Sequence, residues 1–196
     1  MYAGNIGMLQ GLDSLIEAFA KCPESNLVLI GQGVALPSLQ RLVTIGSVLN
    51  VHFMPSQPAE RIGEFIAAAD VQIVSLRDTP LLRATMPSKV QSCMAASRPV
   101  LAYAAGDVAD LITSSESGLA VQPGNMATAI EAIRRFSEMS ADELLEMGRR
   151  ARIHYETNFA PNVGLDRLES WLSGKDPVKP HRDTICLLYT SDAADE

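Results

Sequence analysis

No stretch of this 196-residue sequence is apolar for long enough to cross a membrane as a helix, and no signal peptide opens it. Basic residues are the minority, 16 Lys and Arg against 23 Asp and Glu, for a net charge of −7. That excludes the electrostatic footprint that nucleic-acid binding needs. Cysteine is scarce. The three present, Cys22, Cys93 and Cys186, are odd in number and far apart. They form neither a redox pair nor a zinc spacing, and a reducing, cytoplasmic setting is the simplest expectation. The three histidines show no metal-ligand spacing with Cys or Asp, and no Ser/His/Asp set or carboxylate pair stands out. A metal centre is therefore not expected.

What is present is an ordinary globular composition, 47% hydrophobic and 20% charged, with short apolar runs that alternate with helical patterns. Leu12, Leu15, Ile16 and Phe19 recur at helical spacing. Short strands are expected at 26–30, 50–54, 71–76, 99–103 and 118–121. Helices are expected at 11–21, 36–43, from Pro58, and at 87–96, 107–113, 127–139, 141–157 and 162–172. Ser140 with Glu143 makes a capping box for the 141–157 helix. The strands carry apolar residues on both faces, as a parallel sheet covered on both sides requires. The fold class expected is α/β, a doubly wound parallel Rossmann-like sheet with C-terminal helices. Ligands of such sheets sit at the carboxyl ends of the strands, near the switch in strand order.

Two segments fall there. Gly4-Asn-Ile-Gly7, with Gly11 following, is a glycine loop after the first strand, whose backbone N–H groups can approach a phosphate or simply make a tight turn. It is not G-x-G-x-x-G, which argues against a nicotinamide cofactor. The second is Arg83-Ala-Thr-Met-Pro-Ser-Lys-Val-Gln-Ser-Cys-Met-Ala-Ala-Ser-Arg-Pro-Val100. Here a long loop, 77–86, gives way to a helix opening at Pro87, with Ser88 and Gln91 as a capping box. The free N–H groups of that helix end favour an anion. Lys89 would add a full positive charge in the one turn where a cation is otherwise disfavoured. Arg83 is a second candidate. His52, in an apolar strand, is expected to be packed, and His154, among charges on a helix, to be solvated. Asp13 is expected on a solvated helix face, and Gln32 in a plain loop.

Pro87-Ser-Lys89, followed by Met94-Ala-Ala-Ser-Arg-Pro-Val100, resembles the donor-site signature of glycosyltransferase family 4 (glycosyl transferases group 1). Tyr2-Ala-Gly-Asn-Ile-Gly-Met-Leu-Gln-Gly-Leu12, Leu27-Val-Leu-Ile-Gly-Gln-Gly33, Ala67-Ala-Ala-Asp70 and Ser117-Gly-Leu-Ala-Val-Gln-Pro-Gly124 resemble further family motifs, in the family's order. The likeness covers about residues 2–174 and is greatest to the bacterial O-antigen and capsule subgroup, including fucosamine transferase-like proteins. It implies the C-terminal half of a GT-B fold, the half that binds a nucleoside diphosphate sugar, more specifically a UDP-sugar, for a retaining transfer. The acceptor implied is a lipid-linked saccharide or growing glycan. Lys89 and Arg83 would stabilise the departing diphosphate without a metal, with Gly4, Gly7, Pro87 and Ser88 around it. The positions matching the family's loop Arg and Lys are Asn5 and Gln10, both neutral. Ser92 stands where many members have a ribose-binding Glu, and Ala84 replaces the acid eight residues before it. Ser97 replaces a common Gly, expected as a packing change.

Residues 1–174 are thus expected to form the nucleotide-sugar domain. Its first strand would be truncated and the N-terminal acceptor domain absent, leaving the chain unable to transfer sugar alone. Residues 175–185 read as a linker. Residues 186–196 resemble the translation of a sequencing adapter and are expected to be disordered. The location expected is cytoplasmic, with peripheral membrane association open. Two other readings stay open: a non-catalytic nucleotide-binding or interaction domain, and a UDP-sugar epimerase of the same fold.

Overall fold

A computed structural model describes residues 1–174. The linker and adapter-like segments, 175–185 and 186–196, lie outside the described residues.

Strand and helix alternate as expected. Strand β1 (Tyr2–Ala3) pairs in parallel with β2 (Leu27–Ile30), and β2 with β3 (Val51–Met54). Likewise β4 (Gln72–Ser75) pairs with β5 (Val100–Tyr103), and β5 with β6 (Gly118–Val121). The two three-stranded sheets meet at Met1. Its ammonium donates to the Val71 carbonyl at 2.7 Å, and its carbonyl accepts from the Ile73 N–H at 2.8 Å. The spatial order is therefore 3-2-1-4-5-6, with the switch between β1 and β4, the crevice where doubly wound sheets hold ligands.

Helices cover both faces: α1 (Leu12–Phe19), α2 (Leu36–Ile45), α3 (Ala59–Ala68), α4 (Pro80–Arg83), α5 (Ser88–Ala95), α6 (Asp107–Ser114), α7 (Met126–Glu138), α8 (Ala141–Asn158) and α9 (Pro161–Leu172). Alternate strand residues feed two cores. Ile73, Leu101, Tyr103 and Val121 pack with α1 and α7, while Val74, Val100 and Ala102 pack with α5, α6 and Ala151 of α8. The period-2 geometry of a strand makes this division, and it explains why the runs read as apolar throughout. Among the described residues, no helix is long and apolar enough to cross a membrane.

Several expectations need correction. The 77–86 loop contains α4, which opens on Pro80 and is capped by Thr79, whose hydroxyl oxygen accepts from the Leu82 N–H at 3.3 Å. Thr-Pro is a recognisable helix start, here hidden by the shortness of the helix. Met8–Gln10 forms a 3-10 turn. His52 is exposed rather than packed, because β3 is an edge strand; its ring contacts Asn26 Oδ1 at 3.1 Å. His154 is half-buried against Phe159, with ring centroids 5.7 Å apart, and burial lowers its pKa.

Ser97 is a conformational substitution rather than a packing one. It sits at φ +56° just past α5. Its N–H bonds to Met94 O at 3.0 Å and the Arg98 N–H to Cys93 O at 3.3 Å, the Schellman pattern whose C′ position favours glycine. Ser97→Gly is expected to stabilise the chain by about 1 kcal/mol, a rise of roughly 2–4 °C in melting temperature. A thermal melt that falls would contradict this account.

Candidate anion site at the strand switch

The site begins with two glycine loops laid backbone against backbone. Past the end of β1, the Gly4 N–H donates to Ile30 O at 2.9 Å and the Ile6 N–H to Gln32 O at 2.8 Å. The loop after β2 returns the contact, with the Ala35 N–H donating to Ile6 O at 3.0 Å. A Cβ on Gly31, at φ +148°, would stand 1.9 Å from Gly4 O. On Gly33, at φ +151°, it would stand 2.4 Å from Ile6 O. Gly31-Gln-Gly33 is therefore more than a plain loop. Its glycines permit the close approach that shapes the Gly4 loop.

The same loop is held from β4. The Ser75 hydroxyl donates to Gln10 O at 2.5 Å, the Arg77 N–H to Leu9 O at 2.8 Å and Arg77 Nε to Met8 O at 2.6 Å. The Arg77 guanidinium also grips Asp13, at 2.9 and 3.1 Å. Asp13 is thus an anchor for Arg77, not merely part of a solvated face. The sequence reading did not single out Ser75 or Arg77. A polar pair closing an apolar strand, with an acid in the first turn of the helix after the glycine loop, was the available signal.

Across the switch, α5 opens with Pro87 at the N-cap and Ser88 as its first helical residue. The Ser88–Gln91 capping box does not form, since Ser88 is one position too late and no side chain caps the helix. The first N–H groups of the helix are left without a side-chain cap, that of Val90 bonding to Pro87 O at 3.0 Å. Lys89, half-buried, reaches back over the Gly4 loop. A Cβ on Gly4 would lie 3.0 Å from Lys89 Nζ, and Nζ lies 3.4 Å from the centroid of the Tyr2 ring. Burial lowers its pKa to about 7. Tyr2, another residue the sequence reading passed over, is buried, donates its hydroxyl to Asn5 O at 2.5 Å and has its own pKa raised by burial. Cys93, one helical turn on, is pushed up to about 11 by burial.

The remaining candidates divide. Gly4, Gly7, Asn5, Pro87, Ser88 and Lys89 lie on the two segments that meet at the switch. Gln10 turns inward, its Oε1 accepting the Gly7 N–H at 3.0 Å. Ser92 is exposed and donates back to Ser88 O of its own helix at 3.3 Å. Arg83 is engaged with Asp78 through two bonds of 2.5 and 2.8 Å, and Gln122 Nε2 joins Asp78 at 3.4 Å. The Arg83 guanidinium holds the Asp78 carboxyl below its usual range. This cluster borders a shallow open hollow of about 270 Å³, lined also by Ala104, Gly106, Ala120 and Val121. Among the described residues, no group of three or more His, Cys, Asp or Glu side chains could hold a metal ion.

An uncapped helix N-terminus and a lysine converge at the strand switch as a candidate anion site; contrary to expectation, the glycine loop shapes it but spends its Gly4, Ile6 and Gly7 N–H groups on Ile30 O, Gln32 O and Gln10 Oε1. Comparison with known proteins agrees with the fold. The chain is 28% identical over 97 residues to the putative colanic acid biosynthesis glycosyl transferase WcaI of Escherichia coli (strain K12), a match covering 48% of this chain and 24% of that protein. Among solved structures, HepE of Anabaena, crystallised with UDP-glucose, superposes with a TM-score of 0.74 at 19% identity, over 88% of this chain and 48% of that one. The C-terminal domain of LpcC of Francisella tularensis, a glycosyl transferase group 1 family protein, superposes at 0.63 with 18% identity, over 81% of this chain and 85% of that domain. This chain therefore spans less than half the length of WcaI and of the HepE chain. The model of the family "Glycosyl transferases group 1" matches residues 1–138, and with it the chain belongs to the glycosyl transferases group 1 family, its described part being a Rossmann-like domain of the GT-B kind.

Proposed function

We propose that this domain is the donor-binding half of a retaining glycosyltransferase, holding a nucleoside diphosphate sugar, with UDP as the nucleotide, for bacterial surface polysaccharide synthesis. The observation that carries the reading is the placement of Lys89 Nζ over Gly4 at the start of α5. The UDP-glucose bound by HepE and the colanic acid role given to WcaI support the ligand and the setting. As the glycosidic bond breaks, the diphosphate leaves with the bonding electrons. The ammonium of Lys89 and the N–H groups of α5 are fixed in advance where that charge grows, so the chain's own residues supply the stabilisation without a metal. Arg83 joins them only if it leaves Asp78. A lipid-linked saccharide acceptor would come from a second, N-terminal half facing this one, in the cytoplasm and at the inner membrane surface. Residues 1–174 alone would bind the nucleotide and transfer no sugar.

Titration calorimetry of the full chain with UDP, UDP-glucose and GDP tests the proposal. Saturable binding of the uridine nucleotides supports it, and no heat with any of them refutes it. A purely binding, non-catalytic module is the second reading. It is favoured by the commitment of Gln10, Ser92 and Arg83 to partners within the protein. Sugar transfer by the chain together with its N-terminal half would eliminate it.

A further inference from the structure

Lys89 is an unusual lysine. It is half-buried, its pKa is depressed, and among the described residues it has no ion pair. A long, flexible ammonium side chain without a carboxylate partner would ordinarily extend into water. Here it lies against one aromatic face, with Nζ 3.4 Å from the Tyr2 ring centroid. The negative face of a phenol ring attracts a cation, and more strongly where water is excluded. Unlike a carboxylate, it does so without neutralising the charge that an incoming anion would meet.

Tyr2 does a second thing. It is anchored in the core at 1% exposure, and its hydroxyl donates to Asn5 O at 2.5 Å. That bond ties the Gly4 loop to the ring, and a Cβ on Gly4 would lie 3.0 Å from Nζ. One rigid side chain thus touches both halves of the anion site, the cation through its face and the loop through its hydroxyl. A leucine at this position would fill the core and do neither.

We propose that Tyr2 is the positioning residue of the anion site: its ring holds Lys89 Nζ above Gly4 and its hydroxyl sets the loop, so that Tyr2 governs how tightly a diphosphate is held. The proposal rests on the nucleotide reading above and adds a residue to it. Tyr2 touches no ligand; it acts through Lys89 and Asn5.

The test uses the full chain and has a ligand-free arm and a binding arm. In the ligand-free arm, NMR of the lysine ε-methylene groups should show Lys89 moved upfield by the ring current of Tyr2, a shift retained in Tyr2→Phe and absent in Tyr2→Leu. A Lys89 signal at its ordinary position in the unaltered chain overturns the proposal regardless of any nucleotide. In the binding arm, UDP affinity is measured by calorimetry. Tyr2→Phe should weaken it about threefold and Tyr2→Leu about tenfold. Because Tyr2→Leu disturbs a core position, a fluorinated phenylalanine at position 2 serves as a second variant. It keeps the shape of the ring while draining its negative face, and should bind less tightly than Tyr2→Phe by about threefold or more. In the Lys89→Met background, the excess losses of Tyr2→Leu and of the fluorinated variant over Tyr2→Phe, which come from the ring face, should largely vanish, since coupled residues are not additive, while the hydroxyl's effect through Asn5 should persist. Equal excess losses with and without Lys89 would reduce Tyr2 to core packing and sink the proposal. An upfield Lys89 signal together with no UDP binding by the unaltered chain would instead overturn the nucleotide reading, and the diphosphate role of Tyr2 with it.

Discussion

Lys89→Met is expected to weaken binding of a nucleoside diphosphate sugar by about 30-fold or more, the loss typical of a charge-assisted contact to phosphate, and to remove most of its pH dependence. In the empty site burial holds the Lys89 pKa at about 7, well below the 10.5 of a free lysine. A bound diphosphate favours the ammonium, so the pKa of the complex lies higher than that of the free site. Affinity should therefore be greatest below about pH 7. It should fall by up to tenfold per unit as pH rises from there toward the midpoint of the complex. In that window binding takes up a proton, and calorimetric enthalpies should change with the ionisation heat of the buffer. A nucleotide sugar suits this measurement better than UDP, because its diphosphate has no titration near neutrality.

The other groups close to Lys89 can be separated. Tyr2 and Cys93 are pushed up by burial, Cys93 to about 11, and stay neutral in this range. The Met1 ammonium, lowered to about 6 by burial, titrates equally in the unaltered chain and in Lys89→Met. Folding has the matching signature. The unfolded chain binds the Lys89 proton more tightly than the folded one. The Lys89 contribution to stability should thus rise with pH between about 7 and 10.5, its penalty being full below 7. Lys89→Met should remove that contribution and leave those of Met1, which adds a rise between about 6 and 8, and Cys93, which adds a fall between about 9 and 11. Affinity that is indifferent to pH between 6 and 9 in the unaltered chain would show that Lys89 does not meet the anion.

The second large effect is expected from the smallest change. Gly31→Ala puts a methyl group 1.9 Å from Gly4 O, a backbone atom that cannot swing aside, at a φ of +148° that L-residues rarely adopt. Strained backbone of this kind costs about 1–3 kcal/mol, and the collision adds to it. A total above about 3 kcal/mol is expected, visible as a fall in melting temperature of at least roughly 6–12 °C. Any folded remainder should bind nucleotide poorly, because the Gly4 loop must move. Gly63→Ala is the counterpart. It lies inside α3 with nothing within 4 Å of the added carbon. Alanine there should stabilise by about 0.5–1 kcal/mol through helix propensity alone. Equal melting temperatures for the two variants would refute the account of the crossed loops.

Pattern carries far in this chain where a residue's role depends on its neighbours in sequence. Leu12, Leu15, Ile16 and Phe19 are all buried, as their spacing requires. Ser140 and Glu143 form the reciprocal capping box at the start of α8. Pro37 sits in the first turn of α2, where its missing N–H costs nothing. The weaker readings came where a short element or a single cap position mattered. The four residues of α4 read as loop in sequence but form a helical turn, and the cap of α5 is Pro87 instead of Ser88.

By itself, then, the sequence determined the alternation of strands and helices, the parallel sheet buried on both faces, and the arrival of the glycine loop and the Pro87 helix at one end of the sheet. All of these follow from local periodicity and from turn and cap chemistry. Tertiary structure decided which candidates share a site. It put Lys89 on the Tyr2 ring, 87 positions away in the chain, whereas the bonds of Arg83 to Asp78, Gln10 to Gly7 and Ser92 to Ser88 are local, between residues three to five apart. It also decided why Gly31 must be glycine, since the atom that excludes a side chain there belongs to Gly4 on the neighbouring loop. The reason is physical: burial, cation–aromatic contact and backbone crowding act between segments that only the closed sheet brings together, and no local pattern encodes them.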